Sequence, residues 1–293
     1  MAQGQIRKAL SGYYYVYQEG QLIQCRGRGV FRNRGEAPLV GDFVDYTKEG
    51  ESDGYVMKIH PRKNELVRPP IANIDQALLV FSVKEPDFNT ILLDRFLVVL
   101  ESFQVNPIIC LTKTDLLNGE DREKLQTYID DYRQIGYKVI ETFKNDVSLI
   151  EQLQPVLEEK TTVLAGQSGV GKSTLLNTLI PDLNLKTNDI SQSLGRGKHT
   201  TRHVELIEVA GGLLADTPGF SSFDFDTIEK EELTACFPEL ARISESCKFR
   251  GCLHLKEPKC AVKEAVESGE IRSYRFEHYH QILQEIIDRK PRY

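Results

Sequence analysis

A glycine-rich segment in the middle of the chain constrains its fold more than any other feature. The apolar run Thr161–Ala165 has the length of a buried strand, and it leads directly into the segment GQSGVGKST, which precedes a helical stretch at residues 175–180. The spacing G-x-x-x-x-G-K-S between a strand and a helix is typical of a phosphate-binding loop. A chance glycine-rich turn would rarely carry every fixed position in this setting, so the pattern predicts a nucleotide-binding α/β domain.

The residue types in this loop suit a nucleotide triphosphate. The glycines let successive backbone N–H groups turn inward around the β-phosphate, and the N-terminus of the next helix adds a favourable dipole. Lys172 would supply a cation to the β and γ oxygens, and Ser173 would ligate the Mg²⁺ that accompanies the nucleotide. We expect nucleotide contacts from Gly166, Gln167, Ser168, Gly169, Val170, Gly171, Lys172, Ser173 and Thr174.

Apolar runs alternate with helical stretches around the loop. The runs at residues 77–83, 107–111, 138–140 and 161–165 are continuous, as buried parallel strands should be. Helices are predicted at residues 91–103, 121–135 and 148–157. This alternation predicts a doubly wound α/β domain. Residues 204–209 and 213–215, joined through two glycines, predict a hairpin.

The N-terminal segment has a different pattern. Five short β-type runs at residues 13–17, 22–25, 29–31, 42–46 and 54–59 are separated by glycine-rich breaks. Five strands predict a small barrel of the oligonucleotide-binding (OB) type, whose open face accepts nucleic acid. An SH3-like barrel that only packs on its neighbour is the alternative.

A second motif selects the base. Thr112, Lys113, Thr114 and Asp115 follow the predicted strand 107–111 and match the N-K-x-D guanine signature with Thr in place of Asn. The carboxylate can accept hydrogen bonds from guanine N1–H and from the exocyclic amino group, whereas adenine would leave it unpaired. A solvated turn after a strand is the alternative. The motif favours GTP, although Thr112 offers fewer hydrogen bonds to the phosphate loop than Asn would.

The order of the motifs is permuted. The guanine motif precedes the phosphate loop by about 50 residues, whereas it follows the loop in ordinary GTPases. Downstream, Asp216 and Gly219 match the D-x-x-G element that reaches Mg²⁺ and the γ-phosphate. Between the phosphate loop and this element, residues 195–201 fit a first switch in which Thr200 or Thr201 closes on Mg²⁺. A loop without this role is the alternative.

A cysteine and histidine cluster lies near the C-terminus. Cys247, Cys252, His254 and Cys260 supply three thiolates and one imidazole, a closed tetrahedral set for one structural Zn²⁺ per chain. Unligated cysteines in a helical domain are the alternative. The lysines and arginines nearby would either contact RNA phosphates or form a solvated face.

These features together resemble the circularly permuted, ribosome small-subunit-dependent GTPase family over essentially the whole chain. The resemblance implies a multidomain protein: an N-terminal OB-type β-barrel at residues 1–68, a central circularly permuted α/β P-loop GTPase at 69–225, and a C-terminal helical zinc-binding domain at 226–293. It also implies a role in late maturation of the small ribosomal subunit. The third base-contacting loop should follow residue 140, where Glu141, Thr142 and Phe143 replace the usual Ser-Ala pair.

The D-x-x-G element is followed by Phe220, where many GTPases have a Gln that orients the attacking water. We therefore expect slow intrinsic hydrolysis. Either a partner rearranges the switches or His199 supplies a polar group to the water. His199 would alternatively contact RNA or pack locally.

Composition and charge limit the partners. The 293 residues are 40% hydrophobic and 27% charged, which is typical of a globular protein and excludes disorder and fibrous repeats. No apolar run approaches the roughly 18 to 20 residues that span a bilayer, and the N-terminus has no secretory h-region. Residues 1–68 and 240–293 each carry a net charge of +3 around a centre of −12, so the flanks favour RNA.

Three functions fit these observations. The first is a cytoplasmic, monomeric GTP hydrolase that binds GTP and GDP, the small ribosomal subunit and its rRNA, is stimulated by the subunit, and has no membrane partner. The second is a guanine-nucleotide-regulated RNA-binding assembly factor in which hydrolysis only times release. A P-loop kinase is disfavoured because it needs neither a permuted guanine motif nor switch segments.

Overall fold

A continuous sheet of eleven strands joins the N-terminal barrel to the central domain in the computed structural model. The structure describes residues 1–29, 31, 35–50, 53–67, 69–180, 204–216 and 225–289. Within these ranges, no helix has both the length and the apolar character that a membrane span requires.

Five strands close into the predicted barrel. Their order is β1–β2–β3–β5–β4, and β1 pairs with both β2 and β4, which leaves no free edge. Buried side chains such as Ile6, Val16 and Val56 fill the interior. The strands are β1 (Ala2–Leu10), β2 (Tyr13–Gln18), β3 (Gln21–Gly27), β4 (Phe43–Glu49) and β5 (Asp53–Ile59).

The prediction of a five-stranded barrel is confirmed, but one of the five predicted strands, at residues 29–31, is wrong. Gly29 and Phe31, expected in a strand, have helical backbone, whereas the N-terminal strand β1 was missed. The sequence of β1 alternates small or apolar with polar residues only as far as Arg7, and a register shift between Ile6 and Lys8 then interrupts its pairing with β2. Short β6 (Glu65–Leu66) and β7 (Ile71–Ala72) follow the barrel as a separate pair.

The central domain has the predicted doubly wound architecture. Its strand order is β10–β9–β8–β11–β13–β12, and all neighbours are parallel except the β12–β13 hairpin. The carboxyl ends of the parallel strands therefore meet at one edge. The strands are β8 (Gln76–Ser82), β9 (Asn106–Thr112), β10 (Lys138–Glu141), β11 (Thr161–Ala165), β12 (Glu205–Val209) and β13 (Gly212–Asp216).

Helices cover both faces of this sheet. Leu79 and Phe81 of β8 pack on one face with the first two helices, and Leu78 and Val80 pack on the other with the next two. Alternate residues of a strand point to opposite faces, so a continuous apolar strand must be covered twice. The helices are α1 (Thr90–Ser102), α2 (Gly119–Ile135), α3 (Leu149–Leu157) and α4 (Lys172–Leu179).

The barrel is attached to the central domain through the β12–β13 hairpin. Strand β1 pairs antiparallel with β12 at Lys8 and Glu205, and the Lys8 ammonium lies 2.8 Å from the Glu205 carboxylate. Arg7 lies 3.5 Å from Glu208 on the same two strands. The hairpin is thus shared by the two halves of the sheet.

The C-terminal region is helical and packs on α1. A short 3₁₀ turn (Leu233–Cys236) and three helices surround a core that includes Val98 and Val99 of α1. These helices are α5 (Pro238–Ser244), α6 (Ala261–Glu267) and α7 (Ser273–Asp288), in agreement with the helical C-terminal domain that the sequence predicted.

A buried ion network fixes this packing. The Arg275 side chain on α7 is 1% exposed; its Nε donates to Glu239 on α5 at 2.7 Å, and its guanidinium also pairs with Asp94 on α1. Asp94 accepts a further hydrogen bond from Tyr132 on α2 at 2.7 Å and lies 2.5 Å from His278 Nδ1. Each charge is compensated only while all partners are present.

Removing one partner should therefore be costly. Glu239→Ala leaves the buried Arg275 with less compensation, and the free energy of unfolding should fall by about 3 to 5 kcal/mol. Glu285→Ala, which removes the exposed partner of Arg95, should cost about 1 kcal/mol or less. Urea denaturation monitored by circular dichroism measures both values. A loss for Glu239→Ala no larger than that for Glu285→Ala would contradict this role.

Candidate functional site

The phosphate loop lies where the sequence predicted it, between β11 and α4. Gly166, Gly169 and Gly171 all have positive φ, and a Cβ at Gly166 would lie 2.2 Å from the Val80 carbonyl oxygen. Only glycine fits that position without moving the neighbouring strand. The loop therefore brings backbone to the N-terminus of α4, the place at which a phosphate is best stabilised.

Lys172 is the cation of this loop. Its ammonium donates to the carbonyl oxygens of Gly166, at 2.7 Å, and Gln167, so it lies folded over the loop. Burial lowers the pKa of Lys172 to about 8. A bound phosphate would favour the protonated form by Coulombic attraction and raise that pKa again.

Ser173 and Asp216 lie at the same sheet edge. Ser173 follows Lys172 and is 8% exposed. Asp216 is the last residue of β13, and β13 runs parallel to β11, which leads into the phosphate loop. The structure describes the backbone of Asp216 but not its side chain. His199, Thr200, Thr201 and Gly219 lie outside the described residues.

The guanine motif begins at the end of β9, two strands from β11. The buried Thr112 hydroxyl donates to the Val170 carbonyl at 2.6 Å, which ties this motif directly to the phosphate loop. Lys113 has a left-handed backbone with φ of 59°, and a 3₁₀ turn (Thr114–Leu116) follows it. The Thr-for-Asn departure therefore keeps a tether between the two loops.

A pocket of about 220 Å³ lies between these two motifs. Asp115 is exposed and forms part of its wall, together with Lys113. Phe143 and Lys144, in the loop after β10, also line the pocket, and the sequence assigned no contacts to this loop. The lining comprises Thr112, Lys113, Asp115, Leu116, Thr142, Phe143, Lys144, Leu149, Gly171, Thr174, Leu175 and Thr178.

The sequence predicted a base-contacting loop after residue 140 and named Phe143 in it, but it assigned no contact to Phe143 and did not include Lys144. No residue motif marks them, but their position at the carboxyl end of a parallel strand is a signal that could have found them. The pocket thus combines an acceptor, a long aliphatic stem and an aromatic ring beside a phosphate loop. That combination can bind a purine base through its edge and its faces.

The four cluster residues converge in the C-terminal region. Their ligand atoms all lie within 4.8 Å of one another. Cys260 Sγ lies 3.2 Å from His254 Nδ1, and Cys247 Sγ lies 3.8 Å from the same nitrogen and 3.9 Å from Cys260 Sγ. The edges of a tetrahedron around Zn²⁺ measure about 3.5 to 3.8 Å for these ligands. A disulfide needs a separation of about 2.05 Å and does not fit.

The surrounding side chains hold the cluster in place. The hydroxyl of Tyr279 on α7 donates to the Leu253 carbonyl at 3.1 Å, and His280 Nε2 lies 3.2 Å from the His254 carbonyl. Burial raises the pKa of Cys252 to about 12, so its thiolate needs a nearby cation. The donor set therefore fits a closed metal site with no position left for a substrate.

Known proteins resemble the chain over its full length. The family profile for the RsgA GTPase matches residues 59–226, and the profile for the RsgA N-terminal domain matches residues 3–56. Proteins called small ribosomal subunit biogenesis GTPase RsgA are 61% identical in Bacillus cytotoxicus and 62% identical in a Geobacillus species, each over 293 residues with both chains fully covered.

Two solved structures agree with these matches. The crystal structure of YloQ, described as a circularly permuted GTPase, has a TM-score of 0.86 and 54% identity over 100% of this chain and 97% of its own. YjeQ from Thermotoga maritima has a TM-score of 0.86 and 35% identity over 98% of this chain and 99% of its own. The chain therefore belongs to the RsgA GTPase family.

Proposed function

We propose that the chain binds GTP between the phosphate loop and the guanine motif, hydrolyses it, and acts in late maturation of the small ribosomal subunit, which stimulates the hydrolysis. One observation supports the proposed nucleotide binding: the Thr112 hydroxyl donates to the Val170 carbonyl at 2.6 Å and so joins the guanine motif to the phosphate loop beside the base pocket. The names of the relatives support the ribosomal part.

The residues divide the work of hydrolysis. Lys172 and the backbone N–H groups at the start of α4 hold the phosphates and stabilise the charge on the transferred group. Ser173 and Asp216 would hold Mg²⁺, which neutralises phosphate charge when bound, with Thr200 or Thr201 completing the set. Gly219 would contact the γ-phosphate. Since Phe220 cannot orient water, His199 or the ribosomal subunit would do so.

The base assignment has a direct test. Asp115→Asn should weaken GTP binding at least about tenfold, because the amide cannot accept both guanine hydrogen bonds. The same variant should gain affinity for xanthosine triphosphate, whose 2-oxo group accepts from the amide. Isothermal titration calorimetry measures both affinities. Asp121→Asn, at the partly exposed start of α2 and outside the pocket, is the matched control. Unchanged GTP affinity in Asp115→Asn would reject the assignment.

We propose that the Cys/His cluster holds one structural Zn²⁺. The support is the convergence of three sulfurs and one nitrogen to within 4.8 Å of one another, in a chain whose six cysteines form no disulfide. Free thiols also suit a reducing compartment, here the cytoplasm. The metal would stabilise the C-terminal fold and take no part in hydrolysis.

Metal analysis checks this site. Purified protein should contain one zinc per chain, and Cys252→Ser should lose the metal and destabilise the C-terminal region, because the binding energy of the metal is folding energy. Cys236→Ala, a buried cysteine outside the cluster, should keep its zinc. Elemental analysis by mass spectrometry gives the stoichiometry. Wild-type protein without zinc would refute the proposal.

We propose that the barrel contacts rRNA through its exposed face. Arg26 on β3 is exposed, donates to the Tyr13 hydroxyl at 2.9 Å, and lies over the Tyr13 ring at 5.2 Å from its centroid. A cation placed on an aromatic ring suits both a phosphate and a base. The net charge of +3 on residues 1–68 supports the same partner.

Small subunits should accelerate GTP hydrolysis by the wild-type protein. Arg26→Glu should leave the basal rate of hydrolysis unchanged, but half-maximal stimulation should require a higher concentration of subunits. The salt dependence of that concentration should correspond to about one fewer released counterion than in the wild type. Lys124→Glu, an exposed change on α2, is the control. A phosphate-release assay across a salt series measures these rates.

The outcomes separate the candidate functions. Absence of stimulation in the wild type would contradict the enzyme's proposed activation. Equal half-maximal concentrations for wild type and Arg26→Glu would reject the contact at Arg26. A hydrolysis-deficient variant that remains bound to the subunit would instead favour the assembly factor in which hydrolysis times release.

A further inference from the structure

The loop after β10 lines the base pocket together with Asp115. Its Phe143 and Lys144 line the pocket, and Phe143 is 48% exposed. An exposed loop needs internal hydrogen bonds if it is to present one conformation to a ligand, because ordering a loop on binding lowers the affinity. The structure contains such hydrogen bonds within residues 142–148.

Asp146 is the buried centre of this loop. Its carboxylate forms hydrogen bonds with both ends of the loop. Oδ2 accepts from the Thr142 hydroxyl at 3.1 Å, and Oδ1 accepts from the Ser148 hydroxyl at 2.7 Å and the Ser148 N–H at 3.0 Å. Asp146 is 6% exposed and does not line the pocket. It can therefore influence a ligand only through the shape of the loop.

The same network reaches the guanine motif. The Thr142 carbonyl accepts from the Thr114 N–H at 3.3 Å and from the Thr114 hydroxyl at 3.1 Å. Thr142 is also fixed by donation of its N–H to the Leu111 carbonyl at 2.8 Å. Asp146 is thus hydrogen-bonded to Thr142, and Thr142 is hydrogen-bonded to Thr114, the residue next to Asp115.

We infer that Asp146 is a positioning residue for base recognition: it sets the loop 142–148 against the guanine motif and thereby the preference for guanine over adenine nucleotides. This inference rests on the proposed binding of guanine nucleotide in the pocket. The competing role is purely structural, because the Asp146 carbonyl also accepts from Leu149 N–H at the start of α3.

Base discrimination separates the two roles. ADP uses the phosphate loop but not the guanine contacts, so a misplaced loop should lower GDP affinity while leaving ADP affinity in place. A structural role alone would change both affinities together or neither. The measurement is therefore the ratio of GDP to ADP affinity, determined by calorimetry at a temperature at which every variant is folded by circular dichroism.

Asp146→Ala should lower GDP affinity by about tenfold or more with little change for ADP. Asp146→Asn should retain most of the preference, because its oxygen can accept from Ser148 while its amide donates to the Thr142 hydroxyl. Thr142→Val, which removes only the hydroxyl, should reduce the preference as well, and the double variant Thr142→Val with Asp146→Ala should lose little more. Glu151→Ala, on the exposed face of α3, should match wild type.

Three results would overturn the inference. The first is a wild-type GDP-to-ADP ratio in both Asp146→Ala and Thr142→Val. The second is an equal loss for GDP and ADP, which assigns Asp146 to stability alone. The third is a wild type without guanine preference, which would refute the proposed function together with this inference; either of the first two, with a preference that still depends on Asp115, would refute this inference only.

Discussion

The parallel pairing of β9, β8 and β11 is the constraint on which the nucleotide site depends. It brings the ends of β9 and β11 to one sheet edge, although about 50 residues separate their loops along the chain. The Thr112 hydroxyl then closes the gap by donating to the Val170 carbonyl at 2.6 Å. The sheet fixes the position of each loop in space. The order of the motifs along the chain can therefore change without changing the site.

Two attachments hold the other parts of the chain to this frame. The Arg275 network joins α1, α2, α5 and α7 through buried charges, so the C-terminal region that carries the Cys/His cluster is attached to a helix that directly covers the sheet. On the opposite side, β1 pairs with β12 at Lys8 and Glu205. Along the chain, the β12–β13 hairpin lies between the two segments expected to respond to the γ-phosphate, residues 195–201 and 216–219. The barrel is therefore attached to the strands that connect these two segments.

Much of this could be predicted because the relevant patterns are local. The phosphate loop is defined by glycine and lysine spacing after a strand, and the metal cluster by its donor atoms. Continuous apolar runs gave the parallel strands within one or two residues at each end. Strand β1 is harder to recognise because its alternation stops at a register shift, and no sequence pattern marks the helical backbone at Gly29 and Phe31.

The base-contacting loop shows a second kind of limit. Phe143 and Lys144 carry no motif, and the role of Asp146 depends on hydrogen bonds that form only after β9 and β10 pair. The Arg275 network likewise joins residues more than 140 positions apart, from Asp94 to Glu239. Such contacts follow from tertiary structure, and a single sequence cannot reveal them.

A crystal structure of the complex with GDP and Mg²⁺ tests the central claim most directly. We expect the guanine base between Lys113 and Phe143, with N1 and the exocyclic amino group about 2.7 to 3.2 Å from the Asp115 carboxylate. The β-phosphate should lie at the N-terminus of α4. Guanine bound elsewhere, or an Asp115 carboxylate directed away from the base, would contradict it.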